Sequence, residues 1–236
     1  MRKETIILAG IVGVVIIGAI VGSNYYRKSI QSGPVTSNTK SNTNSGKSAI
    51  SAEQLDRPGS QSLGPADAKV TVVEFYDPEC EACAAFAPVV KKMFNAYGGK
   101  FRLVMRYMPL HPNSVAAANF TEVAAEQGKY GQALEMLFQK QPEWGTKHGG
   151  APDPSAPSIN DLFDRYATEL GLDLAKVRSA IKENRFASKI EQDKKDGQAL
   201  GVRQTPTFFV NGRQLARLGE AELRALIDDE LKRVGS

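Results

Sequence analysis

Reactive sulfur and imidazole groups are scarce in this sequence. The 236 residues include two cysteines, two histidines and one tryptophan. Two cysteines cannot build the multi-disulfide framework of small secreted scaffolds. A structural zinc site needs four ligands, and the spacing of His111 and His148 fits no zinc-finger pattern. The sequence therefore predicts neither a disulfide scaffold nor a metal site.

A strong excess of one charge is also absent. Thirty lysines and arginines face 26 aspartates and glutamates, which leaves a formal net charge of +4. The sequence has no dense basic stripe interleaved with aromatic residues, the pattern typical of nucleic-acid-binding domains. We therefore expect no nucleic-acid partner. The hydrophobic fraction of 42% is ordinary for a globular protein with a real core.

Residues 1–56 divide into an apolar segment and a polar segment. An uncharged apolar run from Ile6 to Gly22 follows a short basic start and precedes two tyrosines and two basic residues. Its length suits a membrane span better than a signal-peptide core, and no small-x-small cleavage site follows it. Residues 1–28 are therefore predicted to be an uncleaved signal anchor rather than a cleaved signal peptide. Residues 29–56, rich in Ser, Asn and Thr, are predicted to be a flexible tether.

Residues 57–236 have the pattern of an α/β domain. The strand-like run KVTVVEFYD, a helical stretch ending at Gly98 and the run KFRLVMRYM predict a βαβ unit with parallel strands. A block of amphipathic helices over about 113–200 follows. Two further strands around Asn211-Gly212 predict a hairpin, and a closing helix ends the chain. The order is β-α-β, a helical insertion, then β-β-α.

Both cysteines, Cys80 and Cys83, lie in the segment DPECEAC, directly after the first predicted strand. A structural disulfide there closes a very short loop and constrains the unfolded chain little. A Cys-x-x-Cys pair beside a βαβ unit is typical of redox chemistry. Asp77 is predicted to cap the following helix, with Pro78 in its first turn, so that the helix N-terminus favours a Cys80 thiolate. Cys80 is then the attacking thiol and Cys83 the resolving one.

Three further residues carry weaker signals. Glu74 interrupts a run that a central strand buries on both faces, so it is predicted to hold a proton and to exchange it with Cys83, unless it reaches water at a strand end. Pro206, after Thr205, precedes a strand and marks an edge or a turn. His111 is interpreted as a loop residue.

Four stretches of the sequence resemble those of a known protein family. The stretches LGPADAKVTVVEFYDPECEAC, MPLHPNSVAAANF, AAEQGKYGQALEMLF and GVRQTPTFFVNGR are similar to those of DsbA-type disulfide oxidoreductases. The resemblance covers about Leu63 to the C-terminus and implies a thioredoxin fold with an inserted α-helical domain. It implies that Cys80 is the nucleophile, Cys83 its partner, Glu74 the buried acid, Pro206 a cis-proline and Thr205 a substrate contact.

The resemblance also implies partners and a location. Such proteins exchange disulfides with cysteine-containing clients outside the cytoplasm, bind no cofactor and are reset by a membrane redox partner. Together with the anchor, this predicts a single-pass protein of the bacterial cytoplasmic membrane with its catalytic domain on the periplasmic side.

One departure affects the direction of electron flow. Strongly oxidising members have Pro-His between the cysteines, whereas this chain has Glu81-Ala82. Negative charges at Glu79 and Glu81 oppose a thiolate, so a weaker oxidant is expected. A reductase or isomerase on the same scaffold is the enzyme alternative. A non-catalytic, membrane-tethered module that binds Cu(I) through the two thiolates is the other alternative.

Overall fold

The computed structural model describes residues 50, 52–146 and 155–235. The predicted anchor, most of the predicted tether and His148 lie outside these residues. Within the described part of the chain, no helix combines the length and apolar character that crossing a membrane requires.

Five strands and nine helices make up the described chain. In chain order they are α1 (Ala52–Leu55), β1 (Gln61–Leu63), β2 (Thr71–Tyr76), α2 (Glu81–Tyr97), β3 (Arg102–Tyr107), α3 (Ser114–Ala125), α4 (Tyr130–Gln139), α5 (Gln141–Trp144), α6 (Ile159–Glu169), α7 (Leu174–Lys182), α8 (Ala187–Ala199), β4 (Thr207–Val210), β5 (Arg213–Gln214) and α9 (Glu220–Gly235).

The strands form one mixed sheet in the order β1-β3-β2-β4-β5. The β2 and β3 strands are parallel, as the strand-helix-strand pattern predicts, and β4 pairs antiparallel with β2. The β1 strand was not expected from the sequence. It adds antiparallel to β3 at the edge of the sheet. The predicted thioredoxin fold with a helical insertion between β3 and β4 is confirmed.

The central strand β2 is buried on both faces because its side chains alternate between two apolar clusters. Val72 and Tyr76 lie in the cluster that also contains Cys80 and Cys83. Val73 and Phe75 lie in the cluster on the opposite face. Alternation along the strand therefore places the side chain of Glu74 on the same face as the two cysteines.

The helical insertion has a core of its own. Phe120, Leu137, Trp144, Phe163 and Tyr166 are buried together there. The predicted capping box is present at the start of α6, where the Ser158 hydroxyl accepts a hydrogen bond from the Asp161 backbone N–H. The insertion is thus a small helical domain rather than a long loop.

The folded part begins before the boundary predicted at residue 57. The guanidinium of Arg106, which is fully buried, donates hydrogen bonds to the carbonyls of Gln54 and Leu55 at 2.8 and 2.9 Å. It also forms ion pairs with Asp193 and Asp196 of α8. A buried guanidinium needs such partners, so α1 is held against β3 and α8.

Candidate active site

The cysteine pair lies where β2 passes into α2. The Cys80 backbone N–H donates to the Asp77 carbonyl at 3.1 Å, and the helix begins at Glu81 with Cys80 as its N-cap. The prediction that Asp77 caps the helix, with Pro78 in its first turn, is wrong. The helix begins after the turn, and the Asp77 carboxylate instead accepts a hydrogen bond from the Glu79 N–H at 2.8 Å.

Cys80 is the more acidic of the two thiols. A hydrogen bond from the Cys83 side chain does most to lower the pKa of Cys80 to about 5. Burial opposes this shift, while the Thr205 side chain and the backbone N–H groups of Ala82 and Cys83 add to it. These N–H groups belong to the first turn of α2, so the helix N-terminus stabilises the thiolate as expected.

Cys83 has the opposite electrostatic environment. Its side chain is fully buried, whereas that of Cys80 is 8% exposed. Burial, the hydrogen bond with Cys80 and the charge of Glu74 raise the pKa of the Cys83 thiol far above its ordinary value. At neutral pH Cys80 is therefore an ionised thiol, and Cys83 is a protonated thiol that donates to it.

Glu74 is buried beneath this pair. Its side chain is 4% exposed and makes no hydrogen bond to another described residue. Burial, helped by the charge of Cys80, raises the pKa of Glu74 to about 8. The carboxyl group therefore carries a proton at neutral pH and has an electrostatic interaction with both cysteines.

The Thr205-Pro206 peptide bond is cis and faces Cys80. As a thiol, Cys80 donates a hydrogen bond from Sγ to the Thr205 carbonyl at 3.3 Å. The Thr205 hydroxyl is buried and has no partner among the described residues. When Cys80 ionises, this hydroxyl is available to donate to the thiolate, which agrees with its part in lowering the Cys80 pKa.

Glu79 has a role that the sequence did not indicate. Its carboxylate is 4% exposed and accepts hydrogen bonds from the backbone and side chain of both Asn113 and Thr146. Sequence reasoning treated Glu79 and Glu81 alike, as charges beside Cys80. In the structure Glu81 is exposed, as is Ala82, while Glu79 joins the active-site turn to the helical insertion.

Asp77 and His111 form a second contact that sequence reasoning missed. His111 Nδ1 lies 2.7 Å from Asp77 Oδ2, and the Leu110 N–H donates to the same oxygen at 2.6 Å. A topological signal was present, because both segments follow the carboxyl ends of neighbouring parallel strands and so meet at one edge of the sheet. Neither here nor in the rest of the described chain does a group of His, Cys, Asp and Glu side chains suit a metal ion.

Chemistry in which one thiol ionises at neutral pH while its neighbour keeps a proton is that of a thiol–disulfide oxidoreductase. The chain matches the protein family described as thioredoxin over residues 56–229 and belongs to that family. Within it, the fold is that of the DsbA-type proteins. Exchange chemistry is thus favoured over the copper-binding alternative.

Three solved structures illustrate the similarity. Oxidised BdbD from Bacillus subtilis is 26% identical, with a TM-score of 0.63, over 76% of this chain and 96% of that chain. A thioredoxin-like oxidoreductase from Silicibacter pomeroyi is 26% identical, with a TM-score of 0.63, over 77% and 98%. Alpha-DsbA1 from Wolbachia pipientis is 21% identical, with a TM-score of 0.65, over 76% and 94%, and shows the fold alone.

The curated relatives have a different name. The Na(+)/H(+) antiporter NhaA 3 of Salinispora tropica is 38% identical over 154 residues, which are 64% of this chain and 21% of that protein. NhaA of Herminiimonas arsenicoxydans is 33% identical over 152 residues, which are 64% and 22%. The chain thus spans about a fifth of the length of these relatives, and their antiporter name describes those whole proteins.

Proposed function

We propose that this protein oxidises cysteine-containing client proteins outside the cytoplasm, with Cys80 as the nucleophile and Cys83 as the resolving thiol. The observation that carries the proposal is the placement of the two thiols: Cys80 is the N-cap of α2 and contacts Thr205, whereas Cys83 is fully buried one turn into the helix. This placement lowers the pKa of Cys80 to about 5 and raises that of Cys83 far above its ordinary value. A disulfide is oxidising when the reduced protein is stabilised, and an ionised Cys80 stabilises the reduced form.

The reaction begins at the accessible sulfur. A client thiolate attacks Cys80 Sγ of the enzyme disulfide, the bond to Cys83 breaks, and Cys83 leaves with the electron pair. Glu74, which holds a proton at neutral pH, gives that proton to Cys83. A second client thiolate then attacks the client sulfur of the mixed disulfide, and Cys80 leaves as a stabilised thiolate. The client loses two electrons and the enzyme gains them.

The client docks beside Pro206. Thr205 offers its backbone directly next to Cys80, as the hydrogen bond to its carbonyl indicates. A cavity of about 360 Å³ adjoins this turn and combines apolar and basic side chains; its lining includes Arg203, Gln204, Pro206, Phe208, Leu215 and Leu218. An extended, partly apolar client segment fits such a groove better than a folded surface does.

The redox potential tests the direction of electron flow. We expect it to lie between about −120 and −270 mV at pH 7, the values of a strong oxidant and of thioredoxin. The reason is that a Cys80 pKa of about 5 falls between those of about 3.5 and about 7 for the nucleophilic thiols of these two proteins. Equilibration with glutathione buffers, followed by alkylation of free thiols, measures it.

A matched pair of variants sharpens this test. Replacing the exposed Glu81 by His is expected to raise the potential by roughly 10 to 30 mV, because a negative charge beside the thiolate is lost. The control Glu191→Gln removes an exposed charge on α8 and should leave the potential unchanged. A wild-type potential below that of thioredoxin would assign the protein to reduction instead.

We further propose that residues 1–28 anchor the protein in the bacterial cytoplasmic membrane and that a membrane redox partner resets the cysteine pair. The support is the apolar run Ile6–Gly22 and the polar stretch after it.

A topology experiment tests the anchor. We expect the full chain to stay with the membrane after carbonate washing, and a reporter fused after Ser236 to be active only if it is exported. A fusion lacking residues 1–28 is the control and should give no signal from outside the cytoplasm. A shortened, soluble product would instead show cleavage, and a reporter active only in the cytoplasm would contradict the location.

A further inference from the structure

His111 is held beside the redox turn by a buried carboxylate. Asp77 is fully buried, and its carboxylate accepts hydrogen bonds from the N–H groups of Glu79 and Leu110. The His111 ring lies against the same carboxylate, with Nδ1 2.7 Å from Oδ2. Because a carboxylate accepts and does not donate, Nδ1 carries the hydrogen of this contact.

Asp77 also positions the nucleophile, Cys80. The Asp77 carbonyl accepts the hydrogen bond from the Cys80 N–H that closes the turn before α2. On the other side, the His111 N–H donates to the Ser114 hydroxyl at 3.1 Å. Asp77 therefore holds both the turn that carries Cys80 and the imidazole ring. The ring is 29% exposed, and its Nε2 makes no hydrogen bond to a described residue.

Three negative groups act on the imidazole. Asp77 contacts it directly, while Cys80 and Glu79 act on it through their charges. Burial opposes protonation, but the hydrogen bond and charge of Asp77 and the charges of Cys80 and Glu79 outweigh it and raise the pKa of His111. In the loop that carries His111, its hydrogen-bond partner is Ser114, whose hydroxyl does not titrate and therefore adds no charge near the imidazole.

The electrostatic interaction between the Cys80 thiolate and the His111 imidazolium shifts the pKa of both groups. If the Cys80 thiolate stabilises the imidazolium, the imidazolium stabilises the thiolate to the same extent. The thiolate exists only in the reduced protein, because the disulfide carries no charge. The affinity of His111 for a proton therefore depends on the redox state of the cysteines.

We propose that His111 is a positioning residue that supplies the positive charge missing between the cysteines, and that reduction of the pair is coupled to uptake of a proton by its imidazole. The proposal rests on the assignment of Cys80 as the nucleophile. The motif of this chain has Glu81-Ala82 and no histidine between the cysteines, and the positive charge comes instead from His111 in the loop after β3.

The protons balance in this scheme. A client dithiol loses two electrons and two protons when its disulfide forms. The Cys80–Cys83 bond breaks and receives both electrons. Glu74 gives its proton to the Cys83 sulfur and regains one of the two protons that the client releases, while the other ends on His111 beside the Cys80 thiolate. When the pair is reoxidised, the imidazolium loses its electrostatic partner and returns its proton to water.

Titration of the histidines by NMR tests the coupling in the full-length protein. The chain has only two histidines, and His148→Gln, which leaves the signal of His111 alone, assigns them. We expect the pKa of His111 to be about one unit higher in the reduced protein than in the disulfide form. The reduced Cys80→Ser variant should give the lower value, because it has no thiolate. Equal values in both redox forms of the wild type would overturn the proposal.

The pKa of Cys80 gives the reciprocal test. His111→Gln keeps a donor for Asp77 but removes the charge, so we expect the Cys80 pKa, read from thiolate absorbance, to rise by about one unit. The equilibrium with glutathione should shift about tenfold towards the enzyme disulfide at a pH above the Cys80 pKa of both proteins and below the His111 pKa of the reduced wild type, where the imidazole is charged. His111→Arg restores a charge that does not titrate and should return the Cys80 pKa towards that of the wild type.

The outcomes distinguish this proposal from the proposed function. An unchanged Cys80 pKa in His111→Gln, with normal disulfide exchange, refutes the role of His111 alone. Loss of exchange through Cys80 itself refutes the nucleophile assignment instead. If His111→Gln does not fold, the two-state titration of the wild-type histidines still decides the matter.

Discussion

Replacement of Cys83 by serine is expected to trap mixed disulfides between Cys80 and client proteins, whereas replacement of Cys80 by serine is expected to reduce exchange to the uncatalysed rate. Cys80 is buried except for 8% of its surface and is ionised at neutral pH, while Cys83 is fully buried and protonated. Without Cys83, a client bonded to Cys80 is not released by the enzyme's own second thiol. Acid quench and non-reducing gels measure the trapped species.

Cys83→Ala is the matched control. It removes the hydrogen bond that contributes most to the low Cys80 pKa, which the serine hydroxyl of Cys83→Ser can still supply. Both variants should trap clients, but the alanine variant should trap them more slowly at pH 6, where less of its Cys80 is ionised. Equal trapping by Cys80→Ser and Cys83→Ser would contradict the assignment of roles.

The second large effect concerns Glu74 and stability. Its pKa is about 8 in the folded protein against 4.5 for a free carboxyl. A raised pKa means that the folded state binds the proton more tightly, so stability is greatest below about pH 4.5 and falls as pH rises through about 8. For Glu74→Gln, the difference in unfolding free energy from the wild type should change by about 4 kcal/mol between pH 5 and pH 9.

Urea unfolding of the two reduced proteins across this pH range measures the effect. The contributions of Cys80 and His111 are shared by both proteins and largely cancel in the comparison. Glu191→Gln, an exposed change on α8, should follow the wild type at every pH. Parallel pH profiles for wild type and Glu74→Gln would falsify the assignment of Glu74 as a buried, protonated acid.

Local patterns were enough to predict most of the fold. The β-branched run of β2 and the Asn211-Gly212 turn both indicate their structures directly, and both residues of the turn have the positive φ that it requires. The β1 strand was missed because it is short and largely exposed, so its sequence has no hydrophobic pattern. The β1 strand forms because it pairs with β3, and the local sequence of β1 does not indicate that pairing.

The site was predicted less completely than the fold. Cys80, Cys83 and Glu74 are close in sequence and separated by simple strand and helix periods, so their grouping could be inferred. The partners of Asp77 and Glu79 are 34 and 67 residues away in the chain. Their contacts depend on how the loop after β3 and the insertion pack on the turn, and sequence periodicity does not contain that information.

The environment of Glu79 divides the active-site segment into two halves with different tolerance to redesign. The residues before Cys80 connect the active-site turn to other parts of the fold. The Asp77 carboxylate accepts a hydrogen bond from Leu110 in the loop after β3, and the Glu79 carboxylate accepts hydrogen bonds from Thr146. The two residues after Cys80 are exposed, and their side chains make no hydrogen bond within the described chain. A library that varies only Glu81 and Ala82 should therefore yield folded enzymes across a range of potentials, and the same diversity placed at Asp77 and Glu79 should yield mainly loss of folded protein.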